Sequence, residues 1–351
     1  QHAPADGRTH SPAGTDETGR MTPAAALFPF DQYWWFYLAF ITGVLLLLRL
    51  DLGLFHRKAH TVSFAEAGTW TAVWIALALA FCFGFYQYTL HAFPHDPAIA
   101  KQVALEFLTG YVLEESLSVD NMFVFVVVFG FFGIPQQYQH RVLFFGILGA
   151  LFFRAIFIAL GSLLLHFQWM VLVFGGILIL TGLKMMFTSD EAIDPEHNTL
   201  LRLVKRFLPI SNTLHGPNFF HLENGKRFGT PLLLCLVFLE MTDVLFAVDS
   251  VPAIFGVTQE PLIVFTSNIF AILGLRSLFF LLAGAVHLFH LLKYGLSIVL
   301  IFVGLKMAWL NSLYDGHFPI LLSLGIIVGI IGASIGLSLA FPKTPEKDLA
   351  A

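Results

Sequence analysis

From about residue 30 onward the chain is a succession of long apolar stretches separated by short polar segments. A helix needs roughly 20 apolar residues to cross a hydrocarbon core of about 30 Å. Stretches of that length recur nine times, near 32–52, 69–91, 103–132, 142–163, 168–187, 230–256, 261–284, 293–310 and 318–341. The pattern predicts an all-α polytopic membrane protein of about nine transmembrane helices over residues 31–341. The third and sixth stretches are longer than one crossing requires, and they carry the acidic motifs. One substantial polar loop, 188–229, falls between the fifth and sixth stretches.

The ends differ in kind. Segment 1–24 is rich in Pro, Gly, Thr and Asp and has no apolar run, so 1–30 reads as a disordered tail, and 342–351 is set apart as a C-terminal tail. No basic segment followed by a short apolar core marks a cleavable signal. The first residue is Gln, which puts the natural start upstream or at Met21.

Short basic loops stay on the cytoplasmic side. With the N-terminus outside, the inner loops hold Arg57, Lys58, Arg141, Arg202, Lys205, Arg206, Lys226, Arg227, Lys293, Lys343 and Lys347, and the outer loops hold only Lys101. The expected placement is a multi-pass inner (plasma) membrane protein with its N-terminus outside and its C-terminus in the cytoplasm.

The apolar stretches also repeat. GLKMMF at 182–187 returns as GLKMAW at 304–309, an offset of 122 that also relates Arg154 to Arg276. SVDNMFVF at 118–125 resembles AVDSVPAI at 247–254, an offset of 129. The two copies cover spans 3–5 (about 103–187) and spans 6–8 (about 230–310). Each copy has three helices, an odd number, so the second must insert upside down. Inverted repeats with polar sites at equivalent places are the architecture of many secondary transporters.

Composition narrows the class. Apolar residues make up 57% and charged residues 12%, against roughly 25% charge in soluble domains. A net charge of −4 points to no nucleic-acid partner. Cys82 and Cys235 both sit in apolar runs, which excludes a disulfide framework and a thiolate metal cluster. There is no phosphate loop, no nucleophile beside a His and no hydrolase-type His/Glu motif, so an enzyme is not expected. No nucleotide-binding domain is visible, so any transport would be gradient-driven.

The remaining chemistry is acidic and lies within the spans. The third holds Glu114, Glu115, Ser118, Asp120 and Asn121; the sixth holds Glu240, Thr242, Asp243, Asp249, Ser250 and Pro252. An ionised carboxylate in a bilayer interior costs roughly 2.5–3.5 kcal/mol on insertion scales. Six of them require cations or protons, and Arg154 and Arg276 inside spans four and seven can pair with only part of the set. A carboxylate precedes the Asp by six in both copies, Glu114 to Asp120 and Asp243 to Asp249. That is about 240° around a regular helix. Convergence therefore calls for unwinding near Asp249, which Pro252 would favour by withholding a donor from the Val248 carbonyl. Carboxylates, an amide, hydroxyls and carbonyls are hard oxygen donors suited to Mg²⁺, Ca²⁺ or Mn²⁺. Lys184 and Lys306 in the GLK repeats read as helix-end lysines that snorkel to the headgroups. Glycines 325, 329, 332 and 336 read as a face for close helix packing or self-association.

The runs EESLSVDN and EMTDVLFAVDSVPAIFG, with RLDLGLFHRKAHTVSFAEA at 49–67, resemble the TerC family of integral membrane proteins over nearly the whole chain from residue 30. That family carries tellurium resistance in its name and is associated with export of Mn²⁺ and other divalent metals; it is grouped with LysE-type exporters built on inverted three-helix repeats. The resemblance implies intramembrane metal positions at Glu114, Glu115, Asp120, Glu240, Asp243 and Asp249, with Asn121 and Ser250 beside them. The expected function is a divalent cation exporter, most simply Mn²⁺ efflux coupled to protons, with no permanently bound cofactor. Its partners would be the transported cation, the lipid bilayer, and a membrane-protein partner or second copy. The rival reading is a membrane scaffold for assembly or quality control without transport. A third is an ion channel.

Overall fold

The structure, a computed structural model, describes residues 27–50, 63–165, 167–187, 209–211, 214, 216–223, 226–283, 289–314 and 318–341; the side chains of Leu50, Asp120, Phe123, Gln168, Glu223 and Lys226 lie outside that description. The helices are α1 Phe30–Leu50, α2 Phe64–Ala92, α3 Pro97–Phe131, α4 Gln136–Leu164 and α5 Gln168–Phe187. They continue with α6 Pro231–Phe255, α7 Pro261–Leu282, α8 Leu292–Leu305 and α9 Ile320–Ala340. A π-helical turn, Lys306–Leu310, extends α8. Between α5 and α6 lies an antiparallel hairpin, β1 Phe220–Glu223 on β2 Lys226–Gly229.

Among the described residues, eight helices are long and apolar enough to cross a membrane, all except α3. The exception has a plain cause: α3 is 35 residues long but carries Lys101, Glu106, Glu114, Glu115 and Asp120. The chain is an all-α multi-span membrane protein, with the hairpin a small addition. The tails 1–26 and 342–351, the 51–62 loop with Asp51, Arg57 and Lys58, and the basic segment with Arg202, Lys205 and Arg206 lie outside the described residues.

Helix starts follow local chemistry. Asp96 accepts a hydrogen bond from the Ala98 amide and Pro97 opens α3, while Ser63 caps α2 through the Glu66 amide. Ahead of α1, Phe28 is fully buried against Tyr33, Phe85 and Phe93, and the Leu27 amide donates to Glu260.

The core is made by α3–α8, with α7 at its centre: 94% of the α7 span is buried, against 17% for α1 and α9. In the extended contacts α5 lies along α8, α3 along α7 and α4 along α6. Exchanging α3 with α6, α4 with α7 and α5 with α8 maps these contacts onto each other. The glycines of the GLK repeats make the relation quantitative. A Cβ added at Gly182 would lie 2.7 Å from the Ser297 carbonyl oxygen, 2.8 Å from Ile301 Cγ1 and 3.2 Å from Ile301 N. One added at Gly304 would lie 2.6 Å from the Gly175 carbonyl oxygen, 2.8 Å from Ile179 Cγ1 and 3.1 Å from Ile179 N. Every residue in one set is its counterpart in the other plus 122. The contacts run antiparallel, Gly182 to Ser297 and Gly175 to Gly304, so α5 and α8 cross backbone to backbone. Only Gly permits that approach.

Two expectations change. α6 does not unwind near Asp249; it is a continuous helix through Phe255 with Pro252 inside it. Pro252 falls in the last turn, where Gly256 donates to both Pro252 and Ala253, so the helix loses one bond next to its natural end. Lys306 does not snorkel. It is 3% exposed, on the buried stripe of α8 that runs through Val299 and Val303, and close to Glu106, whereas Lys184 is exposed. Glycines 325, 329, 332 and 336 meet nothing within 4 Å of an added Cβ, so this face of α9 packs on no described part of the chain.

Candidate acidic cavity

Arg154 organises the centre of the molecule. Its side chain projects from α4 and is wholly buried. Its guanidinium ion-pairs with Glu114 of α3, reaches Asp243 of α6 through Nη2 at 3.2 Å and Nε at 3.5 Å, and donates from Nη1 to Asn268 Oδ1 of α7 at 3.3 Å. One planar fork thus ties four helices together, a geometry an ammonium would not supply. Glu114 and Asp243 are counterparts in the two repeats, and a single arginine holds both.

Next to this knot is a cavity of about 20 Å³, lined by Phe125, Gly146, Ala150, Glu240, Asp243 and Arg276 among others. That is room for about one water. The Glu240 carboxylate lies directly over Gly149 of α4, where any Cβ would collide with it. The cavity lies on the half towards the α3–α4 turn, the α6 N-terminus and the α7 C-terminus. The other half is filled by the main apolar core, including Phe107, Tyr111, Ile254, Phe255, Phe265 and Ile269.

The remaining sequence-predicted residues are dispersed. The Glu115 carboxylate lies by Gly274 of α7 and Trp74 of α2. Asp249 accepts a hydrogen bond from Thr181 Oγ1 of α5 at 2.9 Å, with the Lys184 ammonium near enough to attract it. On an unbroken helix the six-residue step points Asp243 at α4 and Asp249 at α5. Asn121 is buried on α3; Ser118 and Ser250 are buried with hydroxyls that have no hydrogen-bond partner among the described residues. The Asp120 side chain lies outside the description. Among the described residues, no three of His, Cys, Asp and Glu stand together as a metal-binding group. Glu114 and Asp243 are both held by Arg154.

Sequence reasoning missed Asn268, Thr181 and a further polar cluster. In that cluster Glu106 of α3 accepts from Thr258 Oγ1 at 2.6 Å and Gln102 Nε2 at 2.8 Å, close to Lys306. Glu106 was legible as an acid inside the third apolar stretch. Asn268 and Thr181 lie in apolar runs where nothing in the pattern distinguishes them.

A multi-span membrane protein with buried, arginine-bridged carboxylates on two related helices is the class these features define. The model of the integral membrane protein TerC family matches residues 99–346. The chain belongs to that family. An uncharacterized membrane protein of Myxococcus xanthus is 52% identical over 301 residues, covering 86% of this chain and 90% of the relative. A protein of Escherichia coli (strain K12) named "Putative membrane-bound redox modulator Alx" is 42% identical over 294 residues, covering 83% of this chain and 90% of its own length. A membrane protein of Rickettsia felis is 41% identical over 272 residues, 77% of this chain and 87% of the relative. No solved structure matches the chain.

Proposed function

We propose that the chain is a secondary exporter of divalent cations, Mn²⁺ being the substrate its oxygen donors suit, built on an inverted repeat of α3–α5 and α6–α8. The observation that carries this reading is the Glu114–Arg154–Asp243 knot beside an acidic cavity. Burying carboxylates is costly unless a cation accompanies them, and here the protein supplies its own. An arriving divalent cation would displace Arg154 from Asp243 and take Glu240 and Asp243 as ligands; when it leaves, Arg154 and protons restore neutrality. This gives the carboxylates a proton-coupled cycle with no other machinery. The cavity holds about one water, so the ion would enter stripped of most of its shell, a step that Mn²⁺ and Ca²⁺ make more readily than Mg²⁺.

Direction follows from the loops. The half containing the cavity is the half of the α3–α4 turn with Arg141 and of the hairpin with Lys226 and Arg227, the side that basic loops assign to the cytoplasm of an inner-membrane protein. The cavity would then load from the cytoplasm. The redox role in the Escherichia coli relative's name finds no dithiol here: Cys82 on α2 and buried Cys235 on α6 are free thiols belonging to different apolar clusters.

In cells sensitised to manganese, the chain should restore growth in excess Mn²⁺. Glu240→Gln, Asp243→Asn, Asp120→Asn and Asp249→Asn should each abolish protection at unchanged membrane abundance. Full protection by Asp243→Asn would sink the cavity reading. A scaffold would instead tolerate all four and respond to changes in the hairpin Phe220–Gly229.

A further inference from the structure

The cavity has a counterpart that is closed. Applying the offsets of 129 for α3/α6 and 122 for α4/α7 to its lining gives a second set of residues. Glu240 maps to Tyr111, Asp243 to Glu114, Arg276 to Arg154, Gly146 to Asn268, Leu239 to Gly110 and Phe125 to Ile254. These images are contiguous in the structure and lie in the opposite half. Arg154 bonds Glu114 and Asn268. A Cβ on Gly110 would lie 2.8 Å from Ser267 Oγ and 3.5 Å from Ile254 Cγ2. Tyr111, Ile254 and Asn268 are all buried. Where the first half leaves a cavity, its image is packed shut.

We infer that this image set, Gly110, Tyr111, Glu114, Ile254 and Asn268 around Arg154, is a second cation chamber that opens when the two repeats exchange conformations. In that state Arg276 takes the place between Asp243 and Glu114 that Arg154 holds here. The backbone obeys the two-fold relation at the α5–α8 crossing to within about 0.1 Å on each matched contact. The ion pairs break it, since one arginine holds both equivalent carboxylates. A near-symmetric scaffold with an asymmetric charge arrangement has a second state of related structure in which the roles are exchanged.

The chambers differ in charge, and this deepens the exporter reading on which the inference rests. Among the described residues, the open cavity is lined by two carboxylates and one arginine and its image by one carboxylate and one arginine, with Tyr111 where Glu240 stands and Asn268 where Gly146 stands. A divalent cation is attracted more strongly to the first chamber than to the second. It therefore binds more tightly in the present cavity and leaves more readily from the image chamber, where Tyr111 stands in place of a carboxylate, while the proton gradient drives net movement.

The test needs no transported ion. In a background with Cys82→Ala and Cys235→Ala, single reporters Leu143→Cys and Ile254→Cys are exposed to the water-sized thiol-binding cation Ag⁺ at each face of sealed vesicles, and the thiols left unlabelled by it are counted with a maleimide after denaturation. The reporter at 143 should label from the α3–α4 turn face and the one at 254 should be protected. Adding Arg154→Gln should expose 254 from the opposite face and slow labelling at 143 at least several-fold; adding Arg276→Gln should leave 254 protected. As a check on folding, Gly110→Cys with Ser267→Cys should cross-link readily under mild oxidation, and more slowly once Arg154→Gln is added. Protection of 254 in every variant, or an unchanged cross-linking rate, would overturn the second chamber. Exposure of both reporters from the same face would overturn it too. Reciprocal labelling in a protein that moves no Mn²⁺ would refute the exporter and leave the chamber standing.

Discussion

Replacing Arg154 with Gln removes the only cation seen to bond Glu114 and Asp243 among the described residues, while keeping the side chain polar and of similar length. Two carboxylates then remain in the core, Glu114 at 0% and Asp243 at 5% exposure. Removing one partner of a buried ion pair costs about 3–5 kcal/mol, against about 0–1 for an exposed pair. The expected loss is therefore about 3–5 kcal/mol. SDS-titrated unfolding in mixed micelles, read by tryptophan fluorescence, measures it. In a background of Glu114→Gln and Asp243→Asn, Arg154→Gln should cost under about 1 kcal/mol, because little buried charge is left unpaired. An equal cost in both backgrounds would mean that Arg154 acts through packing, and the electrostatic account of the centre would fall.

Three other outcomes follow from the structure. Gly182→Ala and Gly304→Ala place a Cβ against equivalent backbone oxygens, so each should destabilise by about 1–3 kcal/mol, and by similar amounts; Gly325→Ala, in open space, should be neutral or slightly stabilising. Unequal costs at the paired glycines would break the two-fold relation. Lys306→Met removes the buried ammonium that attracts Glu106 and should cost about 1–3 kcal/mol in the same unfolding assay, while Lys184→Met on the exposed face should stay within about 0.5 kcal/mol. For Glu260, just ahead of α7, burial pushes the carboxyl above its usual 4.5, opposed by the Leu27 and Phe28 amides and aided by Glu106. The folded state therefore binds this proton more tightly than the unfolded chain. The resulting stability is full below about pH 4.5 and lost as pH rises through the folded value. Glu260→Gln should match the native chain in acid and exceed it at neutral pH; a variant less stable at neutral pH would reverse the sign.

The helices were legible because lipid imposes a simple requirement: about 20 apolar residues per crossing, with all backbone bonds satisfied internally. The α5 bounds, 168–187, match the apolar stretch residue for residue. The hairpin was missed, although Asn224-Gly225 between its strands is a strong two-residue turn signal; it was masked by the polarity of the loop. The acidic residues were visible as charges in apolar runs, but their partners were not. Spacing along one helix says which face a carboxylate occupies and nothing of which neighbour lies there. Hence Arg154, noticed as a buried cation, could not be assigned both Glu114 and Asp243, and the dependence of Asp249 on Thr181 had no sequence trace. Pro252 was misread because a proline's effect depends on where the helix would have ended anyway. Lys306 was misread because a lysine near the end of an apolar stretch carries no sign of the buried neighbour, Glu106 on α3, that stands close to it.

The most direct measurement is uptake and release of radioactive Mn²⁺ by sealed proteoliposomes containing the purified chain, with and without an imposed pH gradient, beside Asp243→Asn. Flux that follows the proton gradient in the native protein and falls to the level of empty liposomes in the variant is the predicted result. Flux that is absent from folded native protein, or unchanged by Asp243→Asn, would contradict the claim that these acids carry the ion.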